Sequence, residues 1–191
     1  MPGRQAKLIS APMLRRMLAY ARQSADPARN RVIILLSVKA GLRAMEIARL
    51  QWPMVLDAAG QVGTVLAVQD AIAKRRSGRR VPLHSDLRQA LTDLRRETSG
   101  DGPVIVSHRG GALKPNSIVN WFVAMFAELD LEGCSSHSGR RTFITMAARN
   151  LHRAGCSLRD VQLLAGHSSI ETTQGYIDGD TNGQRKLVGL L

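Results

Sequence analysis

Aromatic residues are scarce in this chain. Three Phe, two Trp and two Tyr make up 4% of 191 residues, and no stacking platform of the kind that RNA-binding domains use for unpaired bases is evident. Cysteine is scarcer still. Cys134 and Cys156 fall outside any metal-ligand or CxxC spacing and read as free thiols of a reducing compartment. The longest apolar stretch, residues 32 to 38, is far too short to span a bilayer. The opening MPGRQAKLIS has no apolar core of a secretory signal. No membrane partner is expected, and the cytoplasm is the expected location. Also missing are HExxH, a phosphate-binding Walker loop, a dinucleotide-binding glycine pattern and GxSxG. Carboxylates paired at metal-binding spacing are absent as well, which argues against a two-metal nuclease.

Acidic charge is the other shortage. Asp and Glu number 15 against 27 Lys and Arg, leaving a net charge of +12. Such an excess predicts a polyanionic partner, with nucleic acid ahead of an acidic membrane surface. The basic residues are spread along the whole chain, so a folded basic surface fits better than a disordered arm. The 44% of hydrophobic residues can build a core, and the length allows one domain or two very small ones.

The hydrophobic pattern predicts a mostly helical α+β fold with one small antiparallel sheet. Residues 1–9 read as a basic leader. Ser10 caps a helix through Tyr20, and Asp26-Pro27 opens an apolar helix to about Lys39, which Gly41 breaks. A second helix is expected over Arg43 to Leu50. Val62, Val65, Leu66, Val68 and Ile72 favour strands, and Arg80 to Leu83 reads as a returning strand, with KRRSGRR at the tip of the hairpin. Helices are further expected from a Ser85 cap to Arg96, from Asn116 to Leu129, from Ser138 to Asn150 and from Leu158 to Ala165. Pro103 to Ser107 reads as a short strand. Ser168 and Glu171 form a capping-box pattern for a last short helix bearing Tyr176 near its end.

The chemistry-bearing residues are cations, imidazoles and one phenol. His137 and Arg140 stand at helical spacing. His167 precedes the last short helix, and Tyr176 follows. Taken singly, each has an ordinary alternative: a helix cap paired with an acid, a packed core histidine, a packed aromatic. Taken together they suit metal-free transfer at a phosphodiester. Guanidinium forks match the non-bridging oxygens bidentately. A lysine can serve as the acid. A phenol becomes a nucleophile once cations stabilise the developing phenolate.

Four stretches carry a resemblance to the tyrosine recombinase (phage integrase) family. AGLRAMEIARLQW (residues 40–52) resembles its first box, AKRRSGRRVPL (73–83) its β-hairpin, SHSGRRTFITMAARN (136–150) its H-x-x-R box and LLAGHSSIETTQGYID (163–178) its closing box. The resemblance implies a catalytic set of Arg43, Lys74, His137, Arg140, His167 and Tyr176. Arg43 and Arg140 would clamp the phosphate, His137 and His167 would donate hydrogen bonds, and Lys74 would protonate the leaving 5′ oxygen. Tyr176 would form a 3′-phosphotyrosine, and His137 would also receive the phenolic proton. No metal or other cofactor is implied. Glu46 orients Arg43 or makes a plain surface pair with it. Arg75, Arg76, Arg79, Arg80 and Arg141 are expected on the DNA backbone. Two positions depart from the family pattern: Arg141 stands where histidine is usual and Gly139 where leucine is common.

The expected partners are double-stranded DNA, further copies of the chain in a tetramer, and an accessory DNA-bending protein. Residues 10–180 would form the catalytic domain with no clamp domain before it, as in short single-domain members, and the apolar tail 181–191 would dock onto a neighbouring protomer. Type IB topoisomerase-like relaxation and a catalytically silent DNA-binding regulator of the same fold are the competing readings.

Overall fold

The computed structural model describes residues 6–73, 77–98, 100–176 and 188–189. The chain divides into two compact units, Met1–Phe143 and Ile144–Leu191. Among the described residues no helix is long and apolar enough to cross a membrane.

The first unit is built around one central helix. α1 (Ala11–Arg22), α2 (Pro27–Ala40) and α3 (Ala44–Ala48) follow one another closely. In α2 the run Val32 to Leu36 is at most 1% exposed, as a helix apolar on every side must be. α1 and α4 (Ser85–Glu97) pack against it. α4 turns Leu87, Ala90, Leu91 and Leu94 inward at helical spacing. α5 (Pro115–Glu128) packs on α3 and buries Ile118, Phe122, Met125 and Phe126. Four of the seven aromatics gather here, with Tyr20 against Trp121, Trp121 against Phe122, and Phe122 stacked on Phe126.

The expected sheet is present as two antiparallel strands, β1 (Val65–Val68) and β2 (Arg79–Pro82). Leu66 pairs with Val81 and Val68 with Arg79. Because side chains alternate along a strand, Arg79 lies on the buried face with Val81 while Arg80 points outward.

Several local expectations are corrected. Pro103 to Ser107 is not a strand; it makes only isolated bridges, Gln51 with Pro103 and Val106 with Ala112. Asp26 stands at the N-cap of α2, but its side chain makes no capping bond; its carboxylate is taken by Arg29 at 2.7 Å and His108 at 2.9 Å. His84, not Ser85, caps α4 by accepting from the Asp86 N–H at 3.1 Å. Residues 6–9, read as part of a leader, are docked. Lys7 donates its N–H to the Gly133 carbonyl, and Ile9, 7% exposed, donates to Thr142 Oγ1 at 2.8 Å. Burial of the Ile9 side chain gives that segment its anchor.

α6 (Ser138–Arg149) starts against α2 at unusually close range. A Cβ built on Gly139 would lie 2.1 Å from Ser37 Oγ and 2.9 Å from Ser37 Cβ. The departure at Gly139 is therefore a packing requirement, and the intrinsic helix cost of glycine is offset by the approach it permits. Gly139→Ala is expected to lower stability by about 1–3 kcal/mol through overpacking. Combining it with Ser37→Gly should recover most of that loss in a double-mutant cycle read by urea denaturation. Strictly additive losses would show that the contact carries no strain.

The second unit holds α7 (Leu151–Ala154), α8 (Leu158–Ala165) and α9 (Ile170–Gln174), with α8 packed on α9. α7 was not anticipated, because LHRA between Asn150 and Gly155 carries no hydrophobic period. Asp160 accepts from both the N–H and the hydroxyl of Ser157 at 2.8 Å, closing the start of α8. Those two bonds hold the Asp160 carboxyl below its ordinary range. α9 is capped by Ser169, one residue later than expected. It ends at Gln174, so Tyr176 sits in the turn beyond the helix rather than on it.

Candidate active site

Arg43 is the N-cap of α3, not a residue within it. Gly41, at φ 65°, ends α2 in the left-handed conformation, and buried Leu42 links the two helices. Any side chain at Gly41 would also meet the Phe143 ring, 2.4 Å from the added Cβ. The tight turn thus depends on glycine twice, and it delivers Arg43 at the start of a new helix.

Glu46 holds Arg43 there. Glu46 Oε2 accepts the Arg43 backbone N–H at 2.8 Å, and Oε1 accepts from Arg43 Nη1 at 2.9 Å. The first bond is one half of a capping box; a guanidinium cannot accept the other half. Glu46 is fully buried, so the expectation of a plain surface pair does not hold. Its second partner is Arg79, whose Nη1 and Nη2 donate to Oε1 and Oε2 at 3.0 and 2.9 Å. Burial pushes the Glu46 carboxyl up, but Arg79 and then Arg43, through hydrogen bonds and charge, more than reverse this and hold it below the ordinary glutamate range. Arg79, with its side chain 3% exposed, is therefore not on an exposed basic surface, where it is expected from the sequence. The signal was in the strand alternation: Arg79 shares parity with Val81.

Arg140 reaches the same turn from a distant part of the chain. It is 5% exposed, and its Nη1 donates to the Gly41 carbonyl at 2.6 Å across 99 positions. The second arginine of the set is thereby tied two residues from the first. His137 precedes α6 and is exposed, with its carbonyl receiving the Arg141 N–H. Arg141 turns its guanidinium to the Ala6 carbonyl. Arg80 is exposed on the outer face of β2. Lys74, Arg75 and Arg76 lie outside the described residues. The strand that follows them is pinned where Gly78 donates its N–H to Asp70 Oδ1 at 2.7 Å.

In the second unit His167 and Tyr176 form one cluster. Gly166, left-handed at φ 63°, ends α8. The His167 N–H then bonds back to the Gln162 carbonyl at 3.1 Å, as a Schellman turn requires. Buried Gln162 returns a bond from Nε2 to the His167 carbonyl at 3.0 Å. His167 Nδ1 lies 2.9 Å from Thr173 Oγ1. The imidazole is stacked on the Tyr176 ring with centroids 5.7 Å apart and planes at 23°. Gln162 and Thr173 were not anticipated as supports. The position of Gln162 four residues before Gly166, at the fourth residue from the end of α8, is the pattern that could have revealed it.

Residues 7–182 match the phage integrase family. The chain belongs to that family. Among phage integrase relatives, it is 31% identical to the tyrosine recombinase XerC of Neisseria meningitidis serogroup B over 92% of this chain and 56% of that protein. It is also 31% identical to the XerC of Mesorhizobium japonicum over 81% of this chain and 48% of that protein. The chain thus spans about half the length of these relatives. Two solved structures share the phage integrase fold. XerA recombinase superposes with a TM-score of 0.74 at 22% identity, covering 100% of this chain and 66% of that one. The Tn1549 transposon integrase in complex with a circular intermediate DNA gives 0.77 at 17% identity, covering 100% and 67%. The expected fold, mostly helical with a small antiparallel sheet, is the fold of these recombinases.

Proposed function

We propose that this chain breaks and rejoins DNA strands at a specific site, through a 3′-phosphotyrosine formed on Tyr176. The observation that carries the proposal is the convergence of Arg140 on the turn that presents Arg43. Two guanidinium groups held at one turn, one by a main-chain carbonyl and one by a buried carboxylate, are preorganised charge for a phosphate. In the proposed reaction Arg43 and Arg140 bind the non-bridging oxygens, with His137 and His167 as donors. The Tyr176 oxygen attacks phosphorus, its proton passing to His137. The bond to the 5′ oxygen breaks, and Lys74 protonates that oxygen. The phosphotyrosine link conserves the bond energy, so a second strand's 5′-hydroxyl can attack it and release the phenol.

Double-stranded DNA is the proposed substrate, with Arg75, Arg76 and Arg80 on its backbone. Pairwise strand exchange implies four copies on two duplexes, and a DNA-bending protein is the proposed accessory partner. Residues 10–180 are the proposed catalytic domain. Of the tail, only Val188 and Gly189 are described, and Val188 is 69% exposed, consistent with docking onto a neighbouring copy. The test is a nicked duplex taken from the sequence flanking the chain's own gene, scored as a protein–DNA adduct on a denaturing gel. An adduct is expected. A folded protein that binds this duplex and never forms one would favour the silent regulator.

A further inference from the structure

We infer that Arg79 is a positioning residue whose buried charge releases Arg43 to act on phosphate; the inference rests on the function proposed above. Glu46 is a single anion facing two cations. Each of its oxygens accepts twice, Oε1 from Arg43 Nη1 and Arg79 Nη1, and Oε2 from the Arg43 N–H and Arg79 Nη2. The carboxylate is therefore saturated, and water reaches neither it nor Arg79, whose side chains are 0% and 3% exposed. The Arg43 side chain, 21% exposed, is the member of the cluster that meets solvent.

This arrangement resolves an electrostatic conflict. A buried carboxylate fixes Arg43 in place, but paired with Arg43 alone it would also cancel the charge that a phosphate needs. Arg79 supplies a second cation, bidentate and out of solvent, so the cluster keeps one net positive charge, and that charge faces outward on Arg43. The same contact ties β2 to the N-cap of α3.

Three variants test this in the 191-residue chain: Arg79→Gln, Arg79→Lys, and the double variant Glu46→Gln/Arg79→Gln. The double variant removes both buried charges together, which spares the fold the cost of a lone buried ion. Single-turnover adduct formation is measured at saturating nicked duplex and normalised to folded protein by circular dichroism. Arg79→Gln is expected to lower the rate by roughly 10²-fold, the scale of a displaced positioning contact, with little change in DNA affinity. Arg79→Lys should recover part of this, and the double variant more.

The pH profile separates charge from structure. Among the described residues, Arg43 and Arg79 are the charged groups acting on Glu46. Without Arg79, burial raises the Glu46 carboxyl, so protonation restores the Arg43 charge. The rate of Arg79→Gln relative to wild type should then rise as pH falls. A flat ratio, or a double variant no faster than the single one, overturns the inference. A second readout needs no cleavage. The Arg43 Nε resonance and the Glu46 carboxyl carbon, followed by NMR through the pH range, should both change in Arg79→Gln, and unchanged signals would overturn the inference even if no adduct forms. Failure of wild type to form adduct, with these NMR shifts present, would instead count against the proposed reaction.

Discussion

Tyr176→Phe is expected to bind DNA as the unaltered chain does and to form no covalent adduct. The substitution removes one oxygen and leaves the ring. The stack on His167, at 5.7 Å between centroids, persists, as does the His167 bond to Thr173. Stability measured by urea denaturation should therefore stay within about 0.5 kcal/mol of wild type. Loss of a covalent nucleophile removes roughly four orders of magnitude or more from the rate, which takes the adduct below detection on a gel. Adduct that survives would place the nucleophile elsewhere; the other tyrosine, Tyr20, packs against Trp121, with its phenol pushed above the ordinary range by burial and by Glu128.

The second large effect concerns stability. Glu46→Ala leaves the Arg79 guanidinium buried with no counter-charge, and breaking a buried pair from one side costs about 3–5 kcal/mol. A urea midpoint shift of that size at neutral pH is the expected result. Its pH dependence has a definite sign. The Glu46 carboxyl titrates lower in the folded chain than in the unfolded one. Its contribution is therefore present above the unfolded value and is lost as pH falls through the depressed folded value. The gap between Glu46→Ala and wild type should narrow on the acid side. A gap that stays constant into the acid range would mean that packing, not the ion pair, holds this part of the fold.

Much of this protein was legible along the chain because the signals are local. The apolar run of α2, the period of α4 and α5, and the glycine stop at Gly41 depend on side-chain spacing and backbone freedom, which a sequence states directly. The order of Arg43, His137, Arg140, His167 and Tyr176 was legible for the same reason. Caps were less so. Ser168 and Ser169 are chemically equal candidates, and only the backbone geometry at Ser169, φ −128° and ψ 145°, chooses between them.

What sequence could not decide is where each charge goes. A row of arginines in KRRSGRR reads as one basic surface, yet strand register turns Arg79 inward to Glu46 and Arg80 outward. Glu46 itself passes for a surface acid until two cations from separate elements close over it. Gly139 looks like a helix defect until Ser37 is found against it. The sequence by itself determined the main helices, the two-stranded sheet and the order of the residues proposed to carry the chemistry. Only the tertiary structure decided that Arg79 is buried against Glu46 and that Arg140 is tied to the Gly41 carbonyl, because burial and pairing arise between segments far apart in the chain.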